Sequence, residues 1–129
     1  FVNCAFWGPC NRIAVVDGTD GGVVGFSDCT FVHWGNDEDK AMPAIDVLGG
    51  SILVRGCEFQ QNRLQVRLHP GVARAIIKDN LLAREERMEN NARGHVVIAD
   101  NLTLPRPSSL RDHRDPGERP GRSSMHYRR

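Results

Sequence analysis

The sequence predicts an all-β chain wound as a right-handed parallel β-helix, a solenoid of about five coils, with a disordered C-terminal tail. Three observations carry this: an internal repeat of solenoid length, period-two apolar patterning within each repeat, and a lack of sustained helical patterning.

Five segments align. They are Phe1-Val2-Asn3-Cys4-Ala5-Phe6, Val24 to Phe31, Ile52 to Phe59, Ala75 to Leu82 and Val96 to Thr103. A Cys or Asn marks the register at positions 4, 29, 57, 80 and 101, so successive marks lie 25, 28, 23 and 21 residues apart. Three residues before each mark stands Phe1, Phe26, Val54, Ile77 or Ile98, and five before it Val24, Ile52, Ala75 or Val96. Period two with β-branched and aromatic residues predicts a strand with one face buried. The residue just before the mark is Asn3, Asp28, Gly56, Asp79 or Asp100, all turn formers tolerant of left-handed backbone. Beyond the turn, Phe6, Phe31, Phe59, Leu82 and the weaker Thr103 point inward again.

A second strand is expected after each turn, at Ile13-Ala14-Val15, Ile45-Asp46-Val47 and Leu64-Gln65-Val66, with Met88 opening a degenerate fourth copy. Gly21-Gly22, Gly49-Gly50, Pro70-Gly71 and Gly94 are expected to turn the chain into the next register strand, and Leu81 to Glu89 has at most the pattern of a helical turn.

Cys4, Cys29 and Cys57 share one repeat position and are expected to stack about 4.8 Å apart as buried thiols. Parallel side chains make poor disulfide geometry, and no Cys/His spacing suggests zinc. No metal or cofactor is assigned. Asn80 and Asn101 continue the position, where their amides can hydrogen-bond between coils; Cys10 falls off the ladder, in a loop.

The chain holds 129 residues, 40% hydrophobic, with a formal charge of +1, and no run approaches the roughly 18 apolar residues of a membrane helix. It opens on Phe1 inside a strand, which reads as a piece of a longer protein whose targeting segment and first coils lie upstream. The exposed edge of such a first coil invites pairing with another chain. From Pro105 to Arg129, seven arginines and four prolines accompany few large apolar residues, so the domain is placed at residues 1–104 and the tail at 105–129. Interleaved acids (Asp112, Asp115, Glu118) weigh against nucleic acid as its partner.

The motifs V-x-F-x-D-C-x-F, I-x-V-x-G-C-x-F, A-x-I-x-D-N-x-L and V-x-I-x-D-N, spanning residues 1 to about 104, resemble right-handed β-helix proteins of the pectate-lyase-like superfamily. The resemblance implies a carbohydrate-active protein, a polysaccharide lyase or glycoside hydrolase, extracellular or periplasmic, with a polysaccharide or oligosaccharide as partner. No catalytic set of such enzymes maps onto this chain, so catalytic residues are unassigned and the catalytic centre is expected upstream. The competing class is a non-catalytic solenoid for sugar binding, adhesion or a tailspike-like fibre.

Substrate-binding candidates come from the second coil, where 16 residues separate Cys29 from Ile45 against 7 from Cys57 to Leu64. Long loops on rigid scaffolds concentrate binding residues. The insertion, residues 32–43, carries His33, Trp34 and Asp37. Trp7 and Trp34 follow Phe6 and Phe31 at nearly matching offsets, so both indoles are expected to project from one edge toward a sugar face. Asp46 is expected to point outward beside Gln65, and Arg67, with Arg63 and His69, is a candidate for an acidic sugar. Surface charge alone is the plainer explanation of each.

Overall fold

The computed structural model describes residues 1–18 and 21–104; the tail expected at 105–129 lies outside them. The described chain is all-β, without a helix, and its two parallel sheets do not close into a barrel. One sheet contains the short strands β1 (Ala5–Trp7), β4 (Thr30–Val32), β6 (Glu58–Phe59), β8 (Leu81–Leu82) and β11 (Leu102–Thr103), neighbours in that order. The other contains β2 (Ala14–Asp17), β3 (Val23–Ser27), β5 (Ile45–Arg55), β7 (Val66–Lys78), β9 (Met88–Asn90) and β10 (His95–Ala99). β2 and β3 both pair with β5, which pairs with β7, which pairs in turn with β9 and β10.

The register marks align as the repeat requires. Phe26, Val54, Ile77 and Ile98 are Cα partners in series, as are Phe6, Phe31, Phe59, Leu82 and Thr103. Each passage from the long-stranded sheet into the short-stranded one runs through one left-handed residue: Asn3 (φ 53°), Asp28 (54°), Gly56 (63°), Asp79 (59°) and Asp100 (55°). This is the column of turn formers expected from sequence.

Phenylalanines fill the interior in two stacks. Phe1 lies on Phe26 with centroids 5.1 Å apart, Phe6 on Phe31 at 5.1 Å, and Phe31 on Phe59 at 4.8 Å, all within 13° of coplanar. The stacks meet edge to face, with Phe26 and Phe31 at 5.6 Å and 64°. That edge-to-face contact is the arrangement the ring quadrupole favours. Phe31 and Phe59 are fully buried, whereas Phe1 at the end of its stack is 63% exposed.

Beside the rings runs the ladder of marks. Cys29 Sγ donates to Phe1 O (3.5 Å), and Cys57 Sγ donates to Phe26 O (3.4 Å). Asn80 Nδ2 donates to Val54 O (3.2 Å), and Asn101 Nδ2 to Ile77 O (3.3 Å). In every case the acceptor sits three residues before the mark of the preceding repeat, so thiol and amide make the same bond. Asn adds a second: Cys57 N donates to Asn80 Oδ1 (2.9 Å), and Asn80 Nδ2 reaches Asn101 Oδ1 (3.0 Å). The four cysteines are free. Burial pushes the Cys57 thiol up to about 11 from its ordinary 9.0.

Three expectations change. Ala14, Ile45, Val66 and Met88 share a register row, so the strands expected at Ile13-Ala14-Val15 and Leu64-Gln65-Val66 begin one and two residues later. The reason is the corner: Ile13 N and Ala14 N both donate to Ala44 O, absorbing one residue before pairing begins. A slip of one reverses the faces, so Val15 is 47% exposed and Val16 is 5% exposed. The Gly49-Gly50 and Pro70-Gly71 pairs do not end strands either. β5 and β7 run through them, with register shifts between Val47 and Gly49 and between Gly50 and Ser51. Those shifts bend the strand without interrupting it. Finally, β8 and β9 are joined by bends, with no helical turn between Leu81 and Glu89.

Candidate functional site

β2, β5, β7 and β9 place Val15, Asp46, Arg67 and Glu89 side by side on the outward face of the long-stranded sheet. Two residues further along β7, on the same face by strand alternation, stands His69. Arg12 enters from the corner before β2.

These side chains converge on Asp46, whose side chain is only 2% exposed. Its Oδ2 accepts from Arg12 Nη1 at 2.9 Å, and its Oδ1 meets His69 Nε2 at 2.7 Å. A buried carboxylate needs partners of this kind, because an unpaired charge there would forfeit its hydration. Arg67 Nε donates to Glu89 Oε2 at 3.2 Å, and its Nη1 lies 3.8 Å from Met42 Sδ. Both carboxylates are therefore engaged, while the side chains of Arg12, His69 and Arg67 remain 37%, 34% and 21% exposed. The flank presents two guanidiniums, an imidazole and the half-exposed Glu89 carboxylate, with Asp46 sealed among them. A carboxylate only accepts, so Nε2 donates to Asp46, and in the neutral imidazole Nδ1 is then the acceptor. No protein hydrogen bond involves Nδ1 among the described residues, and no buried side-chain nitrogen or oxygen lacks a partner, so Nδ1 faces solvent.

The long loop is built differently. Asp37 Oδ1 accepts from the backbone N–H groups of Asp39 (3.1 Å) and Lys40 (3.2 Å). Asn11 Oδ1 accepts from Asp37 N and Met42 N, and Asn11 Nδ2 donates to Lys40 O (2.9 Å). Arg63 Nη1 donates to Gly35 O. Asp37 thus closes a turn of its own loop, and Asn11 fastens that loop to the corner. His33, exposed at φ 59°, lines a small cavity of about 230 Å³ with Pro9, Trp34, Asn36, Gln61 and Arg63.

The two tryptophans do not form one rim. Trp7 on β1 is 72% exposed and is the Cα partner of Val32, whereas Trp34 is 1% exposed. Trp34 sits edge-on to Phe59 at 6.1 Å and 83°, and its Nε1 donates to Leu64 O at 2.9 Å. A hydrogen-bonding partner for its N–H lets the indole be buried edge-on against the phenylalanine stack. Asp46 also departs from expectation: it is buried, and its partner across the strands is Arg67. Gln65 is fully buried instead, with Nε2 donating to Glu85 O (2.9 Å) and Oε1 accepting from Arg87 N (2.6 Å).

Of the candidate substrate-binding residues, Asp46 and Arg67 fall together with His69. Trp7, His33 and Asp37 lie on the corner and loop side. Arg12 was missed: its bond to Asp46 spans 34 residues and crosses the long loop, so no local spacing signals it. Among the described residues, no three His, Cys, Asp or Glu side chains converge as metal ligands. Among the same residues, no helix is long and apolar enough to cross a membrane. Neither the family models, the curated proteins nor the solved structures yield a match to this chain.

Proposed function

We propose that the chain is a section of a right-handed parallel β-helix in a carbohydrate-active protein of the polysaccharide lyase or glycoside hydrolase kind, and that the flank around Asp46 holds an acidic glycan. Support for the solenoid comes from strands that alternate between two parallel sheets, one alternation per repeat, and from the strong right-handed preference of parallel crossovers. The observation that carries the binding role is the cationic cluster around a sealed carboxylate: Arg12, His69 and Arg67 keep accessible side chains about Asp46, with Glu89 as an accessible acid at their edge. Guanidinium forks suit carboxylates, which they can bind in pairs of parallel hydrogen bonds.

Hydrolysis of a glycosidic bond uses two carboxyl groups facing the bond. On this flank Asp46 is sealed and Glu89 is paired with Arg67, so no two carboxyl groups stand free to face one bond, and we read this part of the surface as binding glycan without cutting the sugar chain. That favours the sugar-binding reading of the solenoid for the segment itself.

Titration calorimetry with an oligogalacturonate and its carboxyl-reduced counterpart tests the role. The charged oligomer is expected to bind, more weakly as salt rises, and the reduced one not at all. Arg12→Ala and Arg67→Ala should each weaken binding roughly tenfold, the scale of one charge-assisted hydrogen bond. Equal affinity for both oligomers, or none for either, contradicts the reading.

A further inference from the structure

We propose that His69 is a general base that hydrolyses acyl esters carried on the bound glycan, with Asp46 as its positioning residue and Arg12 beside it as the oxyanion-stabilising group. The inference rests on the reading of this flank as a glycan-binding face, and it names a chemistry for that face.

The geometry is that of a base held by a carboxylate. Asp46 Oδ1 lies 2.7 Å from His69 Nε2, in a side chain 2% exposed, so the ring is fixed in orientation and in tautomer. Nδ1, the remaining lone pair, faces solvent. Arg12 stands on the other oxygen of the same carboxylate through Nη1 alone, leaving the rest of its guanidinium for a second partner. Imidazole and guanidinium flank the carboxylate from its two sides. A positioned base with a fixed positive donor nearby suits attack on a carbonyl, where negative charge grows on one oxygen. It does not suit the glycosidic bond, which lacks a carbonyl and calls for a carboxyl pair. No Ser or Cys side chain is hydrogen-bonded to His69 among the described residues, so the nucleophile is water.

The step balances without any outside reactant. His69 Nδ1 takes a proton from water as the water oxygen bonds to the ester carbonyl carbon. The carbonyl π pair moves onto its oxygen, where Arg12 holds the charge. On collapse the C=O bond re-forms, the bond from carbonyl carbon to sugar oxygen breaks, and the imidazolium returns its proton to that oxygen. One ester and one water become one carboxylic acid and one alcohol, and His69 is regenerated.

The experiment measures turnover of p-nitrophenyl acetate and release of acetate from acetylated xylan, alongside oligogalacturonate binding by calorimetry. The native chain should turn over both esters. His69→Ala and His69→Gln should each lose at least about 100-fold in rate, within the range of general-base catalysis. His95→Ala, an exposed histidine on β10, should leave the rate unchanged. Asp46→Asn should lower kcat with KM unchanged, and free imidazole should restore part of the rate to His69→Ala. Circular dichroism of each variant verifies the fold. Native turnover no faster than that of His69→Ala overturns the inference, as does a loss shared equally by His95→Ala. If oligogalacturonate still binds in that case, only the ester chemistry fails. If turnover depends on His69 but no glycan binds, the base assignment holds and the glycan reading falls.

Discussion

The interior and the flank of this molecule obey different rules. Inside, one register row reads Phe6, Phe31, Phe59, Leu82, and each member touches the next through stacked side chains. Outside, an equally regular row reads Val15, Asp46, Arg67, Glu89, with no two alike. Backbone pairing repeats equally in both rows; the side chains do so only where a neighbour constrains them. In a stack, each inward residue must fit the repeats on either side. An outward residue has no stack to fit and answers instead to charge partners on adjoining strands, as Asp46 and Arg67 do, so that row varies in residue type and is free to carry chemistry.

The sharpest way to break the contrast is to damage the interior. Phe59 is fully buried, stacked on Phe31 with Trp34 edge-on beside it, and Phe59→Ala should cost about 3–5 kcal/mol in urea unfolding. A loss below about 1 kcal/mol would mean that the stack relaxes around the gap. Next comes the ladder. Asn80→Ala leaves the buried Cys57 N–H without its acceptor and takes the amide donor from Val54 O, and should cost about 1–3 kcal/mol. Asn80→Cys restores the donor to Val54 O, and should recover part of that loss. Equal stabilities for the two variants would show that the thiol and amide bonds are not equivalent.

Alkaline pH sharpens the same point. The Cys57 thiol is raised to about 11 in the fold, against 9.0 ordinarily. As pH rises, the unfolded thiol ionises first, so its contribution is complete below pH 9.0 and is lost as pH climbs to about 11. The drop amounts to about 2–3 kcal/mol at most. Cys57→Val should lack it in unfolding curves followed from pH 8 upward; an identical drop in the variant would assign it to other groups. The smallest effect belongs to the flank. Glu89 pairs with Arg67 from a side chain 47% exposed, and Glu89→Gln should shift stability by no more than about 0.5 kcal/mol. A larger change, insensitive to salt, would mean that the flank is as constrained as the interior.

This contrast also explains what was legible in the sequence. The marks, the left-handed column and the inward phenylalanines recur at fixed offsets, so they stand out without any structure. The second strand was placed one or two residues early, because the corner at Ile13–Ala14 absorbs a residue through a shared carbonyl acceptor that periodicity does not register. Trp34 was expected at the rim because tryptophan in a long loop resembles a binding residue. Its edge-on packing against Phe59 depends on how the loop folds back. Arg12 left no trace, since nothing within its own strand refers to Asp46. The expected glycan, tail and source compartment rest on resemblance and composition alone, which no contact in the fold addresses.

The two uninterrupted strands have a mechanical consequence. β5 and β7, 11 and 13 residues long, bind each other along nearly their whole length, while the repeats on either side meet them with shorter, broken strands. Such a body has a keel. Local opening frees fewest bonds at the outer repeats and most at the keel. Amide hydrogens should therefore exchange in a gradient from both ends toward Ile52–Val54 and Ala75–Ile77. Loss of structure would peel inward as layers, and Asp46 and His69, which sit on the keel itself, would be among the last outward groups to lose their relative position.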